Sequence, residues 1–411
     1  MTEFLELTLV LAVVVLGAKL FGYFTSRIGQ PMVVGEIAFG LLLGPTALNF
    51  LGLPIFTHAD TTREVVHLLA ELGVLLLMFL AGLETDLVAM RKVGVPAFVS
   101  AIGGVIIPFL GGWGLSSLAG LPLGESIFIG TILTATSVSI SAQTLIELGK
   151  LKTKEGMTIL GAAVIDDVIG ILMLSVVVAV FAVGSAEGAT SSGEAVSQAV
   201  PVWLVAVKMV AYFVVAVLLA PVARWFVGAF AKLPVSEALL AGALVVALVY
   251  GFGAEALGGV AAITGSYLAG VILGQIAQKH ELEEKARVVV YSLFVPIFFV
   301  DIGLRANLIE AFQGPLALFG IGIVVVALLG KVIGSGAGAL ATRFTPAESL
   351  RVGVGMISRG EVGLIVAGIG LARGVINQDI FSIMVLMVVV STLVTPVLLR
   401  ATFGGARAAQ E

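Results

Sequence analysis

The sequence contains no cysteine, which removes a disulfide framework, thiol redox chemistry and any cysteine-based metal site. Histidine is scarce: three residues in 411 give no cluster for metal binding or for a dedicated pH sensor. Charged residues make up 12% of the chain, well under the globular norm of about 25%. No stretch is both polar and long enough to form a soluble regulatory domain. No metal, nucleotide or nucleophile motif stands out, and the small-residue stretch 334–338 (GSGAG) lacks the strand context of a phosphate loop. These gaps argue against an enzyme, and neither a cofactor nor a nucleic-acid partner is expected.

What is present is apolar. Hydrophobic residues reach 59% and mean hydropathy is +1.16, the composition of an all-α polytopic membrane protein. Fifty-one glycines suit close helix packing and interrupted helices in lipid. Thirteen apolar segments are predicted, at 4–25, 31–50, 64–84, 94–119, 124–148, 156–182, 201–229, 235–256, 259–278, 287–304, 314–342, 347–372 and 379–402. The first is long enough to span and follows acids, not lysines, so no cleavable signal peptide is expected. The longest connection, 184–199 (GSAEGATSSGEAVSQA), is a small-residue linker near the midpoint.

Orientation follows from the basic residues. With the N-terminus outside, the inner loops carry Arg27, Arg91, Lys92, Lys150, Lys152, Lys154, Arg224, Lys232, Lys279, Lys285, Arg287, Arg343, Arg351, Arg400 and Arg407. The outer loops carry only Arg63, Arg305 and Arg373. That bias predicts N-out, C-in insertion in the cell (inner) membrane.

Against this background the ionisable groups inside spans stand out. The stretch 161–171 (GAAVIDDVIGI) places Asp166 and Asp167 in mid-span, where a carboxylate costs roughly 2.5–3.5 kcal/mol on insertion scales. A location at a helix end in water fails on position, because apolar residues flank the pair on both sides. Adjacent helical side chains diverge by about 100°, so the two do not form one clamp; one can face an ion cavity while the other faces a neighbouring helix. Lys331, in ALLGKVIGSGAGAL, also lies mid-span. A buried ammonium needs a partner, and the aspartates offer one. Lys19 and Lys208 read as snorkelling or helix-capping groups, and Glu36 and Glu71 as helix-end partners.

Two segments look interrupted. The stretch 134–141 (TATSVSIS) is polar within an apolar span, and its hydroxyls can satisfy backbone groups of an unwound helix. The stretch 353–363 (GVGMISRGEVG) is glycine-rich and carries Arg359 and Glu361, which do not share a helix face. The interruptions occupy matching places in two six-segment halves. This predicts inverted repeats at 1–182 and 235–411, joined by a linker and connecting helix at 183–234, with a substrate site at the midplane.

Together TATSVSIS, GAAVIDDVIGI, GKVIGS and SRGEVGLI, with 31–45 (PMVVGEIAFGLLLGP) and 79–87 (FLAGLETDL), resemble the monovalent cation:proton antiporter-2 family, most closely NapA-type sodium/proton antiporters and more distantly NhaA. The resemblance covers essentially the whole chain. It implies an NhaA-like fold with two crossing interrupted helices, a homodimer, and exchange of Na⁺ or Li⁺ for H⁺. Asp167 would bind the cation or proton, Asp166 would pair with Lys331, and Thr134, Thr136 and Ser137 would line the unwound ion pathway. Na⁺ at Asp167 would also draw on Asp166 and backbone near Thr136. Arg359 and Glu361 would be structural or gating groups. Ser358 stands where many relatives are expected to carry proline. Asp301, in PIFFVDIGL, is left without a role.

Proton and cation competing for one carboxylate give exchange by alternating access, and two aspartates with one lysine suggest two protons per cation, hence electrogenic transport. The alternatives are a K⁺/H⁺ antiporter of the same fold, a cation channel or a Na⁺-coupled organic anion symporter. The first often carries a C-terminal nucleotide-binding domain and a Gln–Asp pair, neither seen here. A channel is disfavoured by Lys331 and by the lack of a TVGYG-like filter. A symporter would not need the buried lysine.

Overall fold

The computed structural model describes residues 2–85, 94–181, 202–258, 261–311 and 314–403, and among them there is no β-strand. In chain order the helices are α1 (Glu3–Arg27), α2 (Met32–Leu43), α3 (Ala59–Glu84), α4 (Gly94–Leu118), α5 (Leu123–Ile132), α6 (Val138–Glu147), α7 (Lys154–Phe181), α8 (Val202–Leu218) and α9 (Ala220–Phe230). There follow α10 (Ala238–Ala256), α11 (Ala262–Leu273), α12 (Lys279–Val289), α13 (Val295–Arg305), α14 (Gly314–Ala341), α15 (Pro346–Gly355), α16 (Glu361–Ala372) and α17 (Gln378–Thr402). Helices α12 and α13 run together through a π-turn at Val290–Phe294. Eight helices among the described residues are long and apolar enough to cross a membrane, or nine if α8 and α9, bent by 45°, count as one span.

Two predicted spans are shorter than expected. Helices α2 and α11 have 12 residues each, about 18 Å of rise, short of the roughly 30 Å hydrocarbon core. The chain chemistry accounts for α2: Gly44 and then Pro45 follow it, and a proline biases the residue before it away from helix. Glu36 and Glu71 are not at helix ends. Glu36 is buried within α2, and Glu71 lies in the middle of α3, exposed, 3.5 Å from His67 one turn earlier.

The chain groups into two compact units, each drawn from separate stretches of sequence. The first comprises Met1–Lys19, Asn49–Asp86 and Leu174–Asp301. Within it, α3 and α11 touch backbone to backbone: a Cβ at Gly82 would lie 2.2 Å from the Tyr267 carbonyl oxygen, and one at Gly270 2.1 Å from that of Phe79. Lys19 Nζ donates to the Tyr291 carbonyl at 2.9 Å, within the π-turn, where the regular helical bond is interrupted. Lys208 is exposed on α8. Asp301, buried near the end of α13, lies 3.0 Å (Oδ2) from His67 Nδ1.

The second unit comprises Leu20–Leu48, Leu87–Met173 and Ile302–Glu411, and holds both interrupted helices. Its frame is the α4–α14 crossing. A Cβ at Gly103 would sit 2.2 Å from the Gly334 carbonyl oxygen, and the reverse is equally close. This contact allows the helices to approach through their backbones, as small residues do in lipid. A small-residue and aliphatic core (Ala162, Ala163, Ile159, Ala339, Val352, Met356) packs α7, α14 and α15 together.

The Gly103–Gly334 contact yields a prediction. Gly334→Val places carbon against a backbone oxygen that no rotamer change can move, and should cost at least the ~1–3 kcal/mol typical of overpacking. Thermal unfolding in detergent should show a clear fall, whereas Gly368→Ala, whose Cβ meets nothing within 4 Å, should not. Equal melting temperatures for all three proteins would contradict the close-packed crossing.

Candidate functional site

Both interruptions have local causes. Helix α5 ends where the Thr134 hydroxyl donates to the Thr131 carbonyl at 2.8 Å, a back-bond that competes with the helical ladder. Residues 135–137 are non-helical, and α6 starts at Val138. Helix α15 begins with a capping box: Thr345 Oγ1 accepts from Glu348 N (3.3 Å), and the Glu348 carboxylate accepts from Thr345 N (2.8 Å). It ends at Gly355, residues 357–360 are non-helical, and α16 begins at Glu361.

The two unwound stretches bind each other. Ser137 N–H donates to the Ser358 carbonyl at 2.8 Å, and the Ser358 hydroxyl donates back to the Ser137 carbonyl at 2.8 Å. The Ser141 hydroxyl reaches the Gly355 carbonyl at 2.6 Å and lies 2.9 Å from Ser358 Oγ. Gly360 makes room: a Cβ there would meet Ser137 Cβ at 2.7 Å. Each break thereby satisfies polar groups that the other exposes, which buried backbone requires.

Beside this crossing lies the ion pair. Lys331 of α14 donates its ammonium to Asp166 Oδ2 of α7, and both side chains are fully buried. The same oxygen accepts from the Thr136 hydroxyl in the first break. Asp166 Oδ1 is buried without a hydrogen-bond partner among the described residues. A buried polar atom left so calls for an explanation. Gly104 lets α4 come close to α14 beside the ammonium, since a Cβ there would lie 2.2 Å from Ser335 Oγ. Arg359 is also fully buried. Its guanidinium donates to the Ala327 carbonyl at 3.1 Å and to that of Ile357 at 3.5 Å, while its own carbonyl accepts from Thr392 Oγ1.

The structure thus brings Asp166, Lys331, Thr136 and Ser137 into one centre, with Arg359 in the second break. Thr134 turns to its own helix end. Asp167 lies on α7 and Glu361 at the start of α16, but their side chains are outside the described residues. Sequence reasoning passed over Ser141, Gly104, Gly360 and Thr392. Of these only Ser141 carried a signal, as the last hydroxyl of the polar stretch.

Crossed, interrupted helices over a buried ion pair, on an all-helical scaffold of membrane-spanning length, define a secondary transporter class. The sequence places the chain within it: residues 11–403 match the family described as "Sodium/hydrogen exchanger, transmembrane", and the chain belongs to that family. It is 37% identical to the Na(+)/H(+)-K(+) antiporter GerN of Bacillus cereus, over 96% of this chain and 95% of that one. It is 34% identical to an Na(+)/H(+) antiporter of Enterococcus hirae, over 95% and 96% of the two chains. The solved sodium proton antiporter MjNhaP1 from Methanocaldococcus jannaschii superposes with a TM-score of 0.69 over 98% of each chain, at 16% identity, a likeness of fold.

The ion pair has a testable energetic signature. Lys331→Met leaves Asp166 as an uncompensated buried charge and should cost ~3–5 kcal/mol. Adding Asp166→Asn should recover most of that loss, in thermal or denaturant unfolding of the detergent-solubilised protein. If the double variant is as unstable as Lys331→Met, the pair does not carry the coupling assigned to it.

Proposed function

We propose that the chain exchanges Na⁺, or Li⁺, for H⁺ across the membrane, with proton and cation competing for the carboxylates of α7. The observation that carries this is Asp166: one oxygen is held by Lys331 and Thr136, the other is buried with no hydrogen-bond donor among the described residues, beside an unwound helix. Carbonyls of unwound backbone at this depth can help replace the hydration shell of a cation. Asp167, next in sequence on α7, is the proposed principal cation and proton ligand. Protonation neutralises a carboxylate and releases the ion; a bound cation favours the ionised form. Transport follows if the protein crosses its conformational barrier readily only when this site is occupied.

In this reading Asp166 and Lys331 make and break their pair during the cycle, and the three groups titrate as a coupled set. Two protons per cation, and therefore voltage sensitivity, follow from that count. Arg359 and Glu361 act structurally or as gates. The proposal extends to two inverted six-helix repeats, an N-terminus outside and a homodimer. The matching places of the two breaks and the bias of basic residues support the first two of these; the homodimer rests on the family likeness. Named relatives described as Na⁺/H⁺ antiporters support sodium. A second reading, in which K⁺ is also carried, has one specific support: potassium appears in the description of GerN.

The test is cation-induced dequenching of a pH-sensitive dye in proteoliposomes, with Na⁺, Li⁺ and K⁺ added separately. Wild type should respond to Na⁺ and Li⁺, and Asp167→Asn should abolish the response. A response confined to K⁺ would replace the sodium reading. Normal exchange by Asp167→Asn would remove Asp167 from the site.

A further inference from the structure

The site depends on a residue to which the exchange mechanism gives no part. Ser358 is fully buried in the second break, at the position where proline was expected. Its carbonyl accepts from Ser137 N, and its hydroxyl donates to Ser137 O, each at 2.8 Å. Two bonds from one residue to both polar groups of another fix the position and rotation of that residue's backbone. The next residue back is Thr136, whose hydroxyl engages Asp166. Ser141 completes the arrangement, placed between Ser358 Oγ and the Gly355 carbonyl. Every hydroxyl in the chain from Ser358 to Thr136 is buried, at 1% exposure or less.

We propose that Ser358 is a positioning residue for the transport site: its hydroxyl clasps Ser137, and the clasp holds Thr136 against Asp166. A proline at 358 would still offer the carbonyl to Ser137 N–H but would lack the second point of attachment. The proposal rests on the exchange reading and adds to it a residue that touches neither ion nor proton.

The consequence is one of placement. Without the clasp, Ser137 and the neighbouring Thr136 lose a point of attachment, and the polar groups of the first break are no longer held beside Asp166 for the cation. Among the described residues, the charged groups facing Asp166 remain in place: Lys331 from α14 and Arg359 from the second break. They set the baseline on which the clasp acts.

The experiment measures exchange against Na⁺ concentration in proteoliposomes for wild type, Ser358→Ala, Ser358→Thr and Thr136→Ala, and for the last combined with Ser358→Ala. Ser358→Ala should raise the apparent KM for Na⁺ by about three- to tenfold, the scale of one lost hydrogen bond, with a smaller change in maximal rate. Ser358→Thr, which keeps the hydroxyl, should stay nearer wild type. In the Thr136→Ala background Ser358→Ala should add no further displacement. If Ser358→Ala does not fold, Ser141→Ala should give a smaller shift in the same direction. A lower maximal rate with unmoved KM, or a full additional shift in the Thr136→Ala background, overturns the positioning role. Wild type without Na⁺-driven exchange would instead overturn the functional reading itself.

Discussion

A carboxylate and an ammonium buried together, Asp166 with Lys331, is the constraint on which the second compact unit depends. Several kcal/mol of desolvation per ion must be offset by contact between the two and by further hydrogen bonds. Lys331 extends from α14 where that helix crosses α4 closely, at Gly103–Gly334 and at Gly104 against Ser335. Asp166 is met by a hydroxyl because the helix carrying Thr136 is broken at that level. Glycine content, helix interruption and charge placement are three consequences of one requirement.

The interruption has its own requirement. Unwound backbone in a lipid environment is tolerated only where its polar groups are satisfied. Here two breaks meet that condition jointly, through Ser137, Ser141 and Ser358, with Gly360 permitting the approach. An arrangement in which each break completes the other is coupled by construction. Ser358 of the second break is bonded to Ser137 of the first, and the neighbouring Thr136 is bonded to the carboxylate. That coupling is what a transporter needs if occupancy of the site is to govern its conformational change.

Much of this was legible in the sequence, because the cost of charge in lipid makes a mid-span Asp166, Asp167 or Lys331 conspicuous. Both breaks announced themselves through composition, hydroxyls in one and glycines in the other. Contacts between distant residues were not legible. Ser358 and Ser137 are 221 positions apart, and a single buried serine has no periodicity to reveal it. Asp301 and His67, 234 apart, meet for the same unreadable reason. The lengths of α2 and α11 and the interior positions of Glu36 and Glu71 also escaped, because apolar runs report hydropathy and not where a helix stops.

The central claim is that cation and proton exclude each other at one centre. Its most direct test is calorimetric titration of the purified protein with Na⁺ across pH, in buffers of different ionisation heat, so that affinity and protons released are both read. The account predicts protons released on Na⁺ binding and, on the acid side, an apparent affinity that falls about tenfold per pH unit for each proton displaced. A Na⁺ affinity independent of pH, with no proton release, would contradict it.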